Sequence, residues 1–243
     1  MTTVSRRSFA KLLSLGALAI PAIGSTPASA QSQSRAAIPG AFASDLELRP
    51  LAFDPTQLDG LSERLMVSHW QNNYGGSVRA LNTIKQRLQS SLSEDDLPAF
   101  VYNDLKREHL MRTGSVVLHE LYFDNISSPI DRVADLDRDL ARAFGSVENW
   151  DREFRRIGAG LGGGSGWVML AWNTHAQTLE NYWMADHMHA PVSSIPLLVM
   201  DMYEHSYHMD YATATGQYID AFLRNTNWNV VAQRLSNAVE GRV

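Results

Sequence analysis

Between residues 61 and 157, apolar positions recur at the three- to four-residue period of helices packed on one face. Leu61, Leu65 and His69 stand at i, i+4 and i+8, and after Gly75-Gly76 the stripe resumes with Leu81, Ile84, Leu88 and Leu92. This pattern predicts one long helix, kinked or broken near the two glycines. Ser93-Glu94-Asp95-Asp96 closes it, and Pro98 is suited to the opening of a second helix. That helix carries Leu105, Val116, His119 and Tyr122 and runs to about Asn125. Two long helices joined by a short connection predict an antiparallel hairpin, with His69 and His119 facing each other across it.

A boundary falls at Ser127-Ser128-Pro129. Val133, Leu136, Leu140 and Phe144 form another helical stripe, ended by Gly145. Ser146 is placed to cap the next helix, whose stripe is Val147, Trp150, Phe154 and Ile157. The period then changes. Trp167–Trp172 and Thr178–Asp186 read as strands about a turn at Asn173-Thr174, and Leu197–Met202 reads as a third. Residues 203–211, 218–223 and 230–239 return to helix. The glycine-rich stretch 160–166 lacks the lysine of a phosphate loop and leads into a strand, so it reads as tightly packed backbone.

The front of the chain follows a different rule. Ser5-Arg6-Arg7-Ser8-Phe9-Ala10-Lys11 precedes an apolar stretch from Leu12 to Ile20, and Ala28-Ser29-Ala30 has the form of a signal-peptidase site. The paired arginines predict a twin-arginine export signal over 1–30, hence a periplasmic protein with no stable membrane anchor after cleavage. The apolar run is too short to span a bilayer comfortably. A disordered Ser/Gln/Ala-rich linker is expected over 31–45, then a hairpin domain over 46–128 and a second domain over 129–243.

Charge and composition exclude several functions. The formal charge is −5. Residues 1–30 hold Arg6, Arg7 and Lys11 and no acidic residue, so the remainder carries −8. That argues against a nucleic-acid partner, and any attraction for an anionic substrate must be local. The chain has no cysteine, which rules out disulfides, thiolate metal sites and a catalytic thiol.

Taken singly, the polar residues on the apolar faces are unremarkable. A lone histidine on such a face is more often a hydrogen-bonded core residue than a ligand, and Asp201 reads equally as a helix cap. Met184, Met188, Met200, Met202 and Met209 read as core filler. The motifs are more specific. Phe144-Gly145-Ser146, Gly164-Ser165-Gly166-Trp167, Asp201-Met202-Tyr203-Glu204-His205-Ser206-Tyr207 and Asn227-Trp228 resemble, in order and spacing, signatures of the iron/manganese superoxide dismutases.

The resemblance implies an α+β fold: an N-terminal antiparallel helical hairpin, then a C-terminal α/β domain with a three-stranded antiparallel sheet. It implies one iron or manganese ion per chain, held by His69, His119, Asp201 and His205, and superoxide as substrate. Imidazole and carboxylate suit a redox-active first-row metal, and they do not choose between iron and manganese. It also implies a homodimer, with Glu204 bonding His205 of the partner subunit. Trp167 and Tyr203 are expected beside the metal.

The surrounding positions depart from the family. His187 stands for the outer glutamine, Ser77 for the gateway tyrosine, Asn73 for the gateway histidine and His208 for that histidine's tyrosine partner across the dimer. Ser115, four residues before His119, is small and leaves room for a group from the later segment. No arginine lies in 212–217. Two alternatives follow: a dismutase-fold metalloprotein with altered redox chemistry, and a non-catalytic metal binder using His187, His189, His205, His208 and the methionines.

Overall fold

The computed structural model describes residues 40–242, which belong to one compact unit, Pro39–Val243. The export signal expected over 1–30 lies outside these residues, as does most of the linker. Of the linker's end, Gly40–Ala43 closes a turn through Ala43 N–H to the Gly40 carbonyl at 2.9 Å.

The helical part opens with α1 (Glu63–Ser68), capped by Ser62, whose Oγ accepts from Leu65 N–H. A π-helical segment, His69–Tyr74, follows without a break and leads directly into α2 (Gly75–Ser91). The expected break at the glycines is therefore a widened turn that starts at His69. The buried stripe explains it: it steps five residues from His69 to Tyr74, then resumes with Val78 and Leu81. One extra residue in the turn lets both halves bury their apolar faces, and such turns are frequent at functional sites. Then α3 (Ala99–Asp124) returns antiparallel. The register is fixed by Tyr74 Oη donating to Glu120 (2.9 Å) and by the Ser77–Ser115 hydroxyl pair (2.8 Å).

Two amphipathic helices, α4 (Ala134–Phe144) and α5 (Val147–Leu161), precede the sheet. As expected, Ser146 caps α5, accepting from Asn149 N–H at 3.1 Å. The sheet has the order β2-β1-β3, every pair antiparallel. Its strands are β1 (Trp167–Asn173), β2 (Thr178–Met184) and β3 (Ser194–Asp201). Asn173 Oδ1 accepts from the backbone of His175 and Ala176, which shapes the β1–β2 turn. β3 begins three residues earlier than the apolar run predicts. Pro196 is tolerated because β3 is an edge strand and the ladder is irregular where Ala171 meets Pro196. The short helix α6 (His208–Tyr211), then α7 (Thr215–Arg224) and α8 (Trp228–Val239), complete the fold.

Three polar stitches join the helical part to the rest. Asn125, at the end of α3, donates to the Leu197 carbonyl and accepts from Val199 N–H, both at 3.1 Å. Asn225 accepts from Asp59 N–H (2.9 Å) and donates to its carbonyl (2.7 Å). Ser62 donates its N–H and hydroxyl to Asp210, both at 2.7 Å. Asn125 and Asn225 are buried, so each satisfies backbone groups that would otherwise be costly to desolvate.

Candidate metal centre

Three stretches far apart in sequence bring His69, His119 and the neighbouring pair Asp201 and His205 together. The π turn presents His69, the middle of α3 presents His119, the end of β3 presents Asp201, and the turn after it presents His205. One potential ligand atom from each lies within 4.8 Å of every other. Asp201 Oδ2 is 3.1 Å from His69 Nε2, 3.1 Å from His205 Nε2 and 3.7 Å from His119 Nε2. The first three residues are buried, and His205 is partly exposed.

The hydrogen bonds show what this cradle is built to hold. His119 Nδ1–H donates to the Ser115 carbonyl at 2.7 Å, which leaves the lone pair on Nε2. That nitrogen is buried and has no hydrogen-bond partner among the described residues. It faces a carboxylate, so two acceptors confront each other in a buried site, and a cation between them resolves the conflict. Three neutral nitrogens and one anionic oxygen are a fitting donor set for iron or manganese.

The electrostatics agree. Burial pushes the His119 imidazole down to about 3, with His69 acting in the same sense and Asp201 opposing. Burial likewise lowers His69. Burial works against ionisation of Asp201, but His205 and His69 override it and hold the carboxyl below the usual carboxylate range. Neutral imidazoles beside an ionised carboxylate are the protonation states that bind metal. Asp201 is fixed further by accepting Tyr203 N–H at Oδ1 (2.8 Å) and, at its backbone carbonyl, the Tyr218 hydroxyl (2.6 Å).

A cavity of about 430 Å³ opens over the cradle, lined by Asn73, Ser77, Arg112, His187 and Tyr203 together with His119 and His205. Trp167 is buried beneath and donates its indole N–H to His187 Nδ1 at 3.0 Å. Neutral His187 therefore carries its proton on Nε2. Burial holds His187 below the ordinary imidazole value, against the pull of Asp201. His187 stacks on Tyr203 (centroids 4.7 Å apart, planes 14°), and Tyr203 stacks on His205 (5.3 Å, 16°).

Ser115 and His187 line the same cavity, and the later segment also presses on the neighbouring Gly114. A Cβ on Gly114 would lie 1.8 Å from the His187 carbonyl oxygen. The close approach is at Gly114, while Ser115 bonds Ser77. Tyr203, expected beside the metal, also lines the cavity, its phenol pushed up to about 12 by burial and by the Asp201 and Asp186 charges. Glu204 and His208 are exposed and do not line the cavity of their own chain. The alternative histidine cluster does not assemble: among the described residues the four-residue cradle is the metal-ligating group, and His189 instead contacts Asp186 at 2.7 Å.

Comparison with known proteins gives a consistent answer. Residues 132–234 match the family described as iron/manganese superoxide dismutases, C-terminal domain. Superoxide dismutase [Fe] of Cupriavidus metallidurans is 46% identical over 193 residues, covering 79% of this chain and 98% of that protein. Superoxide dismutase [Mn] 1 of Halobacterium salinarum is 30% identical over 206 residues, covering 81% of this chain and 98% of its own. Superoxide dismutase [Mn/Fe] of Propionibacterium freudenreichii subsp. shermanii is 28% identical over 197 residues, covering 79% and 96%.

Proposed function

The chain belongs to the iron/manganese superoxide dismutase family, and from that premise we propose that it converts superoxide to oxygen and hydrogen peroxide. The observation that carries the reading is the three-imidazole, one-carboxylate cradle beneath an open cavity. His69, His119, Asp201 and His205 hold one iron or manganese ion. Bound there, the ion supplies an electron acceptor and donor that alternates between two oxidation states. The protein does the rest. Asp201 offsets the charge of the ion, and the neutral histidines bind without adding any. His187 keeps a proton on Nε2 at the cavity wall, oriented by Trp167. The cavity admits a small anion and its proton donors.

Export by the twin-arginine route to the periplasm rests on Arg6-Arg7 and the segment behind them. Replacing both arginines by lysine should leave the protein in the cytoplasm; unchanged export would refute this. Among the described residues no helix is long and apolar enough to cross a membrane.

A homodimer rests on His205. Its Nε2 faces Asp201, while its Nδ1 has no hydrogen-bond partner among the described residues, although ligating histidines normally donate their second N–H to a carboxylate or carbonyl. Exposed Glu204 beside it is placed to serve a partner subunit reciprocally. Glu204→Ala should weaken dimer and metal binding together, as read by light scattering and metal content. A fully metallated native monomer contradicts it.

The altered cavity wall, with His187, Ser77 and Asn73 at the positions expected to act in catalysis, is the chain's own version of the family's outer groups. The decisive experiment measures metal content and superoxide consumption per bound metal in the full chain. Iron or manganese near one per chain with fast turnover supports the dismutase. Copper or zinc occupancy, or negligible turnover by the iron or manganese form, overturns it.

A further inference from the structure

The protein is acidic, and its proposed substrate is an anion. The field of the whole chain therefore opposes entry, and attraction must come from charge at the cavity itself. The stretch 212–217 offers no basic residue. The cavity wall does. Among the residues lining it, Arg112 is the one lysine or arginine. Arg112 lies two helical turns before His119 on α3, so the two share a face, about 10 Å apart along the axis.

Arg112 is held loosely enough to act on a passing anion. Its Nη2 lies 3.3 Å from Glu108, one turn earlier, and both side chains are about a third exposed (35% and 32%). A pair of that exposure is weak and neutralises the guanidinium only in part. Its Nε–H is buried without a hydrogen-bond partner, an arrangement that costs stability and that structure alone gives no reason to retain. We propose that Arg112 steers the anionic substrate into the cavity, with Glu108 setting how much of its charge reaches the mouth. Arg112 acts here as a positioning residue. The identity of the anion rests on the dismutase reading, whereas the steering itself does not.

The test uses the full-length, metal-loaded protein as wild type, Arg112→Gln, Arg112→Lys and Glu108→Gln. Two quantities are read from about 10 mM to 1 M salt: the second-order rate constant for superoxide, and the affinity for azide from its absorption titration. Arg112→Gln should lower both by on the order of three- to ten-fold at low salt. It should converge on wild type at 1 M, where the screening length is about 3 Å. Arg112→Lys should recover most of the loss, and Glu108→Gln should raise both values above wild type. Wild-type values for Arg112→Gln at low salt, or an equal loss at every salt concentration, overturn the proposal. Should Arg112→Gln not fold, Glu108→Gln decides alone, and no gain at low salt overturns it. A metallated wild type without superoxide turnover would defeat the dismutase reading, while the azide series would still decide the steering.

Discussion

The cradle and the wall above it are built on opposite terms. In the cradle, His69, His119 and Asp201 are buried, and the last two are each tied to backbone by a short hydrogen bond. Each side chain has one role and almost no freedom. In the wall, Asn73, Arg112, His187 and Tyr203 are partly exposed. His187 and Tyr203 are positioned mainly by stacking and by one indole hydrogen bond. The difference shows where identity matters and where shape suffices. A ligand must present one atom at one distance, so it admits almost no substitute. A wall residue must fill space and carry a charge or proton, and several side chains do that.

Breaking the cradle should therefore have the largest effect. Asp201→Ala removes the anionic donor and strands the two buried imidazoles, His69 and His119. Metal should be lost, and with it the stability that metal binding contributes; the buried imidazoles left without their acceptor cost about 1–3 kcal/mol more. The fold should survive, because Asn125, Asn225 and Asp210 stitch the two parts independently of the metal. Elemental analysis with denaturant unfolding checks both halves. Full metal retention would sink the ligand assignment.

A second experiment attacks the wall through its backbone. Gly114→Ala would drive a methyl into the His187 carbonyl, 1.8 Å away. Backbone must shift to accept it, at a cost of about 1–3 kcal/mol, as for other overpacked sites. His187 should leave its place over Trp167, and turnover should fall while metal content stays near wild type. If metal and turnover fall in parallel, wall and cradle are one unit and not two.

Legibility in the sequence divides along the same line. The cradle was readable because its ligands fall in recognisable segments, two of them in the one signature Asp201–Tyr207, and the strands and α3–α5 follow their periodicity closely. The π turn left a subtler mark. The stripe Leu61, Leu65, His69 continues out of phase with Leu81 and Leu88, and that one-residue slip is the signal of an inserted turn residue. The two glycines stand directly after that turn, at the start of α2. The wall was less readable for a physical reason. Gly114 matters because a carbonyl 73 positions later presses on it, and no local pattern encodes that approach. Arg112 looks like any solvated helix residue until the cavity gives it a setting. Tyr203 was legible as a motif position, but its place between two histidine rings was not.

The sharpest comparison applies one substitution to both regions of the metal-free protein. Burial holds His119 near 3 in the folded state, whereas an unfolded histidine titrates near about 6.5. Below that value the unfolded chain takes up a proton that folded His119 refuses. Unfolded then binds more protons than folded, so stability falls as pH drops from about 6.5 toward 3 and is unaffected above that window. One such group contributes a slope of at most about 1.4 kcal/mol per pH unit. His187 is shifted in the same direction by burial, but it stands at a partly solvated wall, with Asp201 and Asp186 pulling it back. His119→Gln should therefore flatten the acid limb of stability more than His187→Gln does. Chelator-treated proteins, unfolded in urea between pH 7 and 4, provide the measurement. Equal slopes for the two variants would mean that cradle and wall share one electrostatic environment. A steeper limb for His119→Gln than for wild type would mean that His119 is protonated in the folded metal-free state.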